Sequence, residues 1–237
     1  MKIGVLLSGC GVYDGSEIQE AVFTLLAIEE NGAEAVCFAP DKDQAHVINH
    51  IDGSTESGEK RNTLKESARI SRGKIQSINK TSIDHFDALV IPGGFGAAKN
   101  LNKWAFEGPD GDIDHAVKSM ILDMVTAKKP IAALCMGPTV IAKALQGSGI
   151  GTKLTVGTDK EASPYDIKGN KCAKHFYKLL TEADKKLIQP NLEIKSHLNE
   201  GSENTFAEII YKNNLNQIII AKTLLNVLET NEKRSIN

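Results

Sequence analysis

Paired cysteines, charge of one sign and long apolar runs are all missing from this chain, and each absence removes a class of function. Its four cysteines, Cys10, Cys37, Cys135 and Cys172, are scattered through 237 residues with no C-x-x-C pair. That spacing suits neither a disulfide framework nor a zinc site, and it fits a reducing cytoplasm. A formal charge of −2 and an isoelectric point near 6.3 give no electrostatic case for nucleic acid or an anionic membrane. No apolar run approaches the ~18 residues that span a bilayer, and the opening Met1-Lys2-Ile3-Gly4 is too short for the apolar region of a signal peptide. Aromatic residues are only 5% of the chain against 41% hydrophobic residues, so the core must be mostly aliphatic.

What is present reads as one large α/β domain over residues 1–237. Buried strands are expected at residues 2–8, 35–39, 88–91 and 130–134, with a short one at 153–156. Helices fall between them. Ser16-Glu17-Ile18-Gln19 has the form of a capping box, and Ile18, Val22, Leu25, Leu26 and Ile28 follow at helical spacing until Asn31-Gly32. Residues 62–71 form a second helix, with Leu64, Ala68 and Ile70 as its apolar members. Residues 112–128 form a third, with Ile113, Val117, Ile121 and Val125 on one stripe and Lys128-Lys129 at its negative end. Residues 52–60 are polar and read as a loop. Alternating strands and helices predict a three-layer sandwich with a mainly parallel sheet. Beyond residue 167 the rhythm weakens; helices are expected at 181–189 and at 217–228, the latter burying Ile218, Ala221, Leu225 and Leu228.

The most informative segment is Ile131-Ala132-Ala133-Leu134-Cys135-Met136-Gly137-Pro138-Thr139. A buried strand ends in a cysteine, and a helix over 139–145 starts behind Gly137 and Pro138. A cysteine at this junction stands near orphan N–H groups and a positive helix end, a setting that lowers a thiol pKa. The competing reading is a buried structural cysteine; the elbow shape, by analogy with the serine elbow of hydrolases, favours a nucleophile. Residues 8–11 and Pro92-Gly93-Gly94-Phe95-Gly96 also lie at predicted strand ends, so three segments converge on the carboxyl edge where such sheets bind ligands.

These residues resemble the ThiJ/PfpI superfamily, which has the class I glutamine amidotransferase-like, flavodoxin-like fold. Within it the match is close to the ElbB proteins, described as glyoxalase-like or isoprenoid-biosynthesis-associated. The segments that carry it are Leu7-Ser8-Gly9-Cys10-Gly11-Val12-Tyr13-Asp14-Gly15-Ser16-Glu17-Ile18, Cys37-Phe38-Ala39-Pro40-Asp41 and Val47-Ile48-Asn49-His50. Arg61-Asn62, Ala68-Arg69-Ile70, the run from Val90 through Gly94 to Leu101, and Gly157-Thr158-Asp159 complete the set, which covers residues 1–165 in order. The elbow Cys135-Met136-Gly137 is closer to the wider superfamily than to the usual ElbB form, and the tail over 168–237 diverges from it.

The resemblance implies Cys135 as nucleophile and Glu20 as the helix carboxylate set against it, partly protonated and able to shuttle a proton. Glu17, one turn away, is the second carboxylate, or simply a solvated acid at a helix start. Gly94 and Met136 offer backbone N–H groups to an oxyanion, with Gly93, Glu17 and Gly137 expected around the substrate. The superfamily histidine has no counterpart: its place reads Gly157-Thr158-Asp159, and His46, His50, His85, His115, His175 and His197 match no such position. No His-x-Glu pair follows the cysteine, so glutaminase chemistry is not expected. Cys10 is either a second thiol at the same edge or a packing residue; Trp104 and Phe106 either cover the crevice or pack. The function implied is a slow glyoxalase without metal or other cofactor, acting on glyoxal or a similar small dicarbonyl. The alternative is a non-catalytic thiol sensor. A homo-oligomer, most simply a dimer, is expected.

Overall fold

Alternation along the first strand sets the layers. In β1 (Lys2–Leu6), Ile3 and Val5 enter one hydrophobic core while Leu6 enters another on the opposite face. The computed structural model describes residues 1–151, 154–155 and 188–189. After β1 come α1 (Ile18–Glu30), β2 (Glu34–Ala39), α2 (Thr63–Ser71), the short β3 (Gln76–Ser77) and β4 (Ala88–Ile91). A π-helical segment Ala97–Leu101, α3 (Trp104–Glu107), α4 (His115–Thr126), β5 (Ile131–Ala133) and α5 (Pro138–Leu145) follow. β1 to β5 form one sheet in the order β3-β2-β1-β4-β5, with every pairing parallel. A separate parallel pair joins β6 (Leu154–Thr155) to β7 (Ile188–Gln189).

Leu89 and Ile91 of β4 join Leu6 in the core covered by Val117, Ile121 and Met124 of α4 and Val140 and Leu145 of α5. Ala88 and Val90, one residue out of phase, join Ile3 and Val5 against Ala21 and Ile28 of α1. Helices therefore cover both faces, and the expected three-layer α/β sandwich with a parallel sheet is what the structure has.

Several boundaries differ from the sequence expectation, each for a local reason. β1 stops at Leu6 because Ser8 turns away, its N–H donating to Ser16 Oγ at 2.9 Å. Ser16 is thereby committed to that loop, and Glu17, not Ser16, caps α1: its carboxylate accepts from the Glu20 N–H at 2.7 Å. The buried face of α1 is Glu20, Ala21, Thr24, Ala27 and Ile28. Ile18, Val22 and Leu26, expected on the core stripe, are instead 45%, 45% and 44% exposed. α4 begins at His115 because the Asp114 carboxylate takes the N–H groups of Ala116 and Val117. It ends at Thr126, and Lys129 reaches past the helix to the carbonyls of Ile83 and Phe86. The short β3, α3 and the π-helical segment carry no periodicity that sequence could reveal. In the tail, residues 188–189 are a strand and not the end of a helix. The rest of the expected 181–189 helix, and all of 217–228, lie outside the described residues.

Candidate active site

The order β2-β1-β4 places a topological switch between β1 and β4, since the chain leaves β1 toward β2 and returns on its other side. The loops at the carboxyl ends of β1, β4 and β5 meet there. Asn100 ties the first loop down: its side-chain N–H groups donate to the carbonyls of Ser8 and Asp14, both at 2.8 Å. The Phe95 N–H donates to Val12 O at 2.7 Å, and Gly96 N–H to Gly15 O at 2.9 Å, locking the second loop onto the first. Gly94 has φ +89, and a side chain there would strike Glu17 N and Gly15 O. Only glycine permits that approach.

Cys135 follows β5 with φ +49, one of three non-glycine residues in the left-handed region among the described residues. For an L-residue this conformation costs about 1–2 kcal/mol. It is held by the Leu134 N–H on Ile91 O at 3.0 Å and the Gly137 N–H on Leu134 O at 2.6 Å. Cys135 is exposed to solvent as a residue, while neighbouring protein atoms desolvate its thiol. The backbone N–H groups of Gly94 and Met136 donate to its sulfur. These two amides form a cradle for negative charge on sulfur or on an oxygen bonded next to it.

Glu20, on the first turn of α1, is buried at 3% exposure and is hydrogen-bonded to the Cys135 thiol. Its Oε2 accepts from the Gly93 N–H at 2.7 Å, and the helix N-terminus also supports negative charge there. Gly93 is the spacer of the pair. A β-carbon on it would stand 2.5 Å from Cys135 Cβ and 2.7 Å from Glu20 Oε2.

The electrostatic outcome corrects the expectation of a depressed thiol pKa. Burial pushes the Cys135 thiol well above its ordinary value, and the Glu20 charge adds to the rise. The Gly94 and Met136 amides pull the other way without prevailing. The α5 N-terminus is thus outweighed by desolvation and a neighbouring carboxylate. At neutral pH Cys135 rests as a thiol with the Glu20 carboxylate beside it.

Around this core the remaining expected residues are committed to the scaffold. The Glu17 carboxylate caps α1, and its N–H donates to Gly93 O at 3.0 Å. The amide of Gly93 is taken by Glu20 and that of Gly137 by Leu134, so neither presents an N–H to a substrate. Among the described residues, no imidazole is one of the groups acting on the Cys135 thiol. His50 instead braces the first loop, accepting from the Tyr13 N–H at 3.2 Å, 3.9 Å from Asp14 Oδ1. His175 and His197 lie outside the described residues. Cys10 is half-buried, its thiol raised by burial and by Glu66, as a packing residue would be. Trp104 is buried, whereas Phe106 is exposed. Among the described residues no cluster of three His, Cys, Asp or Glu groups is placed to hold a metal ion. Sequence reading missed the roles of Asn100 and Asp14 and gave Ser16 a capping role in place of its bond to Ser8.

A sequence model described as the DJ-1/PfpI family matches residues 12–175. A mitochondrial ES1 protein homolog of Rattus norvegicus is 42% identical over 189 residues, covering 77% of this chain and 70% of its own length. A mitochondrial glutamine amidotransferase-like class 1 domain-containing protein 3 of Homo sapiens is 45% identical over 160 residues, covering 68% of this chain and 58% of its own. The crystal structure of an isoprenoid biosynthesis protein with amidotransferase-like domain from Ehrlichia chaffeensis superposes with a TM-score of 0.62 at 40% identity, over 66% of this chain and 73% of that one.

Proposed function

Because the chain belongs to the DJ-1/PfpI family, we propose that it is a cofactor-independent glyoxalase of ElbB type, converting glyoxal or a related small 2-oxoaldehyde to the 2-hydroxy acid. The observation that carries this reading is the Cys135–Glu20 pair with two amides directed at the sulfur. The Ehrlichia relative's name, which speaks of isoprenoid biosynthesis, agrees with how ElbB proteins are described.

In the proposed reaction Glu20 takes the thiol proton as Cys135 Sγ bonds to one aldehyde carbon. The carbonyl oxygen becomes an alkoxide held by the Gly94 and Met136 amides and is then protonated to a hemithioacetal. Glu20 next removes the carbon-bound proton of that hemithioacetal, giving an enediol. Reprotonation at the neighbouring carbon yields a thioester of glycolate. One carbon is oxidised and the other reduced, so no outside oxidant is required. Water then breaks the C–S bond, releasing glycolate and the thiol. With no imidazole among the described residues to share proton transfer, turnover is expected to be slow.

Purified protein should form glycolate from glyoxal without glutathione or added metal, and Cys135→Ala should abolish it. Activity that survives in Cys135→Ala overturns the mechanism. The sensor alternative needs a thiolate at rest, and the raised Cys135 pKa weighs against it.

A homodimer is the proposed assembly, supported by the exposed Ile18, Val22 and Leu26 stripe on the helix that carries Glu20. A reducing compartment is proposed for it, the cytoplasm or the mitochondrial interior that both curated relatives' names point to. Cell fractionation decides between them. No helix of the described residues is long and apolar enough to cross a membrane.

A further inference from the structure

A positive cluster stands beside the crevice with no acid of the described residues paired to it. His46 comes from the loop after β2, Lys99 from the π-helical segment, and Lys103 directly precedes α3. Two hydrogen bonds fix the loop that carries His46. The Ala45 N–H donates to Asn100 Oδ1 at 2.9 Å, and Gln44 Nε2 donates to His46 O at 3.2 Å. Phe106 joins two of the three groups: the His46 ring meets it edge-on at 5.3 Å, and Lys103 Nζ lies 5.6 Å from its centroid. Lys99 is half-buried, 5.4 Å from the Phe95 centroid, and gives one hydrogen bond to Tyr13 O at 2.8 Å. An ammonium has three N–H donors, so two on Lys99 are not taken by the described residues and can serve a ligand.

No described carboxylate lies within ion-pair distance of these side chains; the ion pairs of the described residues are elsewhere. The acid nearest in influence is Asp14, and its Oδ2 already accepts from the Ile48 N–H at 2.8 Å while Oδ1 faces His50. Burial lowers the His46 pKa most, Lys99 and Lys103 lower it further, and Asp14 alone opposes them. The two ammonium groups disfavour a proton on His46, and an anion seated between them would relieve that repulsion. Two lysine charges match a dianion better than a single carboxylate. Lys99 contacts Phe95, which follows Gly94 in the chain, and Tyr13 on the loop locked against it, so the cluster adjoins the Cys135 site.

We propose that His46, Lys99 and Lys103 form a subsite for the dianionic phosphate group of a phosphate monoester. This assignment goes beyond the glyoxalase reading and does not rest on it. The test follows the His46 ring resonances by NMR while inorganic phosphate is added at constant ionic strength, with chloride as the control. Glycerol 3-phosphate against glycerol forms the second arm. The expected result is a saturable shift with both phosphates, an upward move of the His46 pKa, and no effect of glycerol. Lys103→Gln, at an exposed position that leaves the fold intact, and Lys99→Gln should each weaken binding about tenfold, the loss of one charge-assisted hydrogen bond. A non-saturating change equal to that of chloride overturns the subsite, as does saturable binding unaltered in Lys103→Gln. Binding of inorganic phosphate without glycerol 3-phosphate overturns the monoester assignment. Glycolate formation is measured separately, so failure of either reading leaves the other standing or falling on its own data.

Discussion

The turn after α2 and the turn beneath Cys135 both use glycine, for opposite reasons. Gly73 has φ +82, and nothing lies within 4 Å of where its β-carbon would be. Gly93 has no such backbone demand, yet a β-carbon there would meet Cys135 Cβ, Glu20 Oε2 and the Leu134 carbonyl, all within 2.9 Å. One turn needs glycine for its conformation, the other for its emptiness. The same contrast separates Arg72, left-handed at the exposed end of α2, from Cys135, left-handed at the centre of the site. Conformation alone ends a helix; conformation held by contacts sets Cys135 against Glu20.

Substitutions can break that contrast, and the largest effect is expected at Gly93. Gly93→Ala should lose stability at or beyond the upper end of the roughly 1–3 kcal/mol typical of overpacking, and should abolish glycolate formation by parting Cys135 from Glu20. Denaturant melts and the glycolate assay check both. Ser16→Ala strips a partner from the buried Ser8 N–H and should cost about 1–3 kcal/mol. Gly73→Ala meets only backbone strain, about 1–2 kcal/mol, with activity retained. If Gly73→Ala proves as damaging as Gly93→Ala, the distinction between the turns fails. The smallest effect on stability belongs to Leu26→Glu on the exposed face of α1. Its melt should hardly move, while light scattering should show the dimer reduced to monomers; a wild-type monomer at micromolar concentration contradicts the proposed assembly.

The layers were legible in sequence because buried parallel strands are continuous apolar runs: β4 fell at its expected residues, and β2 and β5 within one residue at either end. The elbow was legible too, since a strand, Cys135 and Gly137-Pro138 have few other ways to fold. What sequence could not carry was set by third parties. The stripe of Ile18, Val22 and Leu26 has helical spacing, but the sheet receives the face one residue away, where Ala21 and Ala27 allow close packing and Glu20 reaches Gly93. Ser16 matched a capping pattern but was taken by Ser8. The Cys135 pKa followed the same rule: a helix end is visible in sequence, whereas enclosure by protein and a carboxylate from another element are not.

The central claim is that Cys135 rests as a thiol whose proton Glu20 receives during attack. Its most direct test is the pH dependence of Cys135 alkylation by iodoacetamide in wild type and in Glu20→Gln, with site occupancy read by mass spectrometry. Because burial and the Glu20 charge raise the thiol pKa, the wild-type rate should be low at neutral pH and still climbing above pH 9. Removing the charge should lower the pKa and speed alkylation at neutral pH, even as glycolate formation falls. A wild-type thiol that is already fully reactive below pH 7, or one whose pKa rises in Glu20→Gln, would contradict the account.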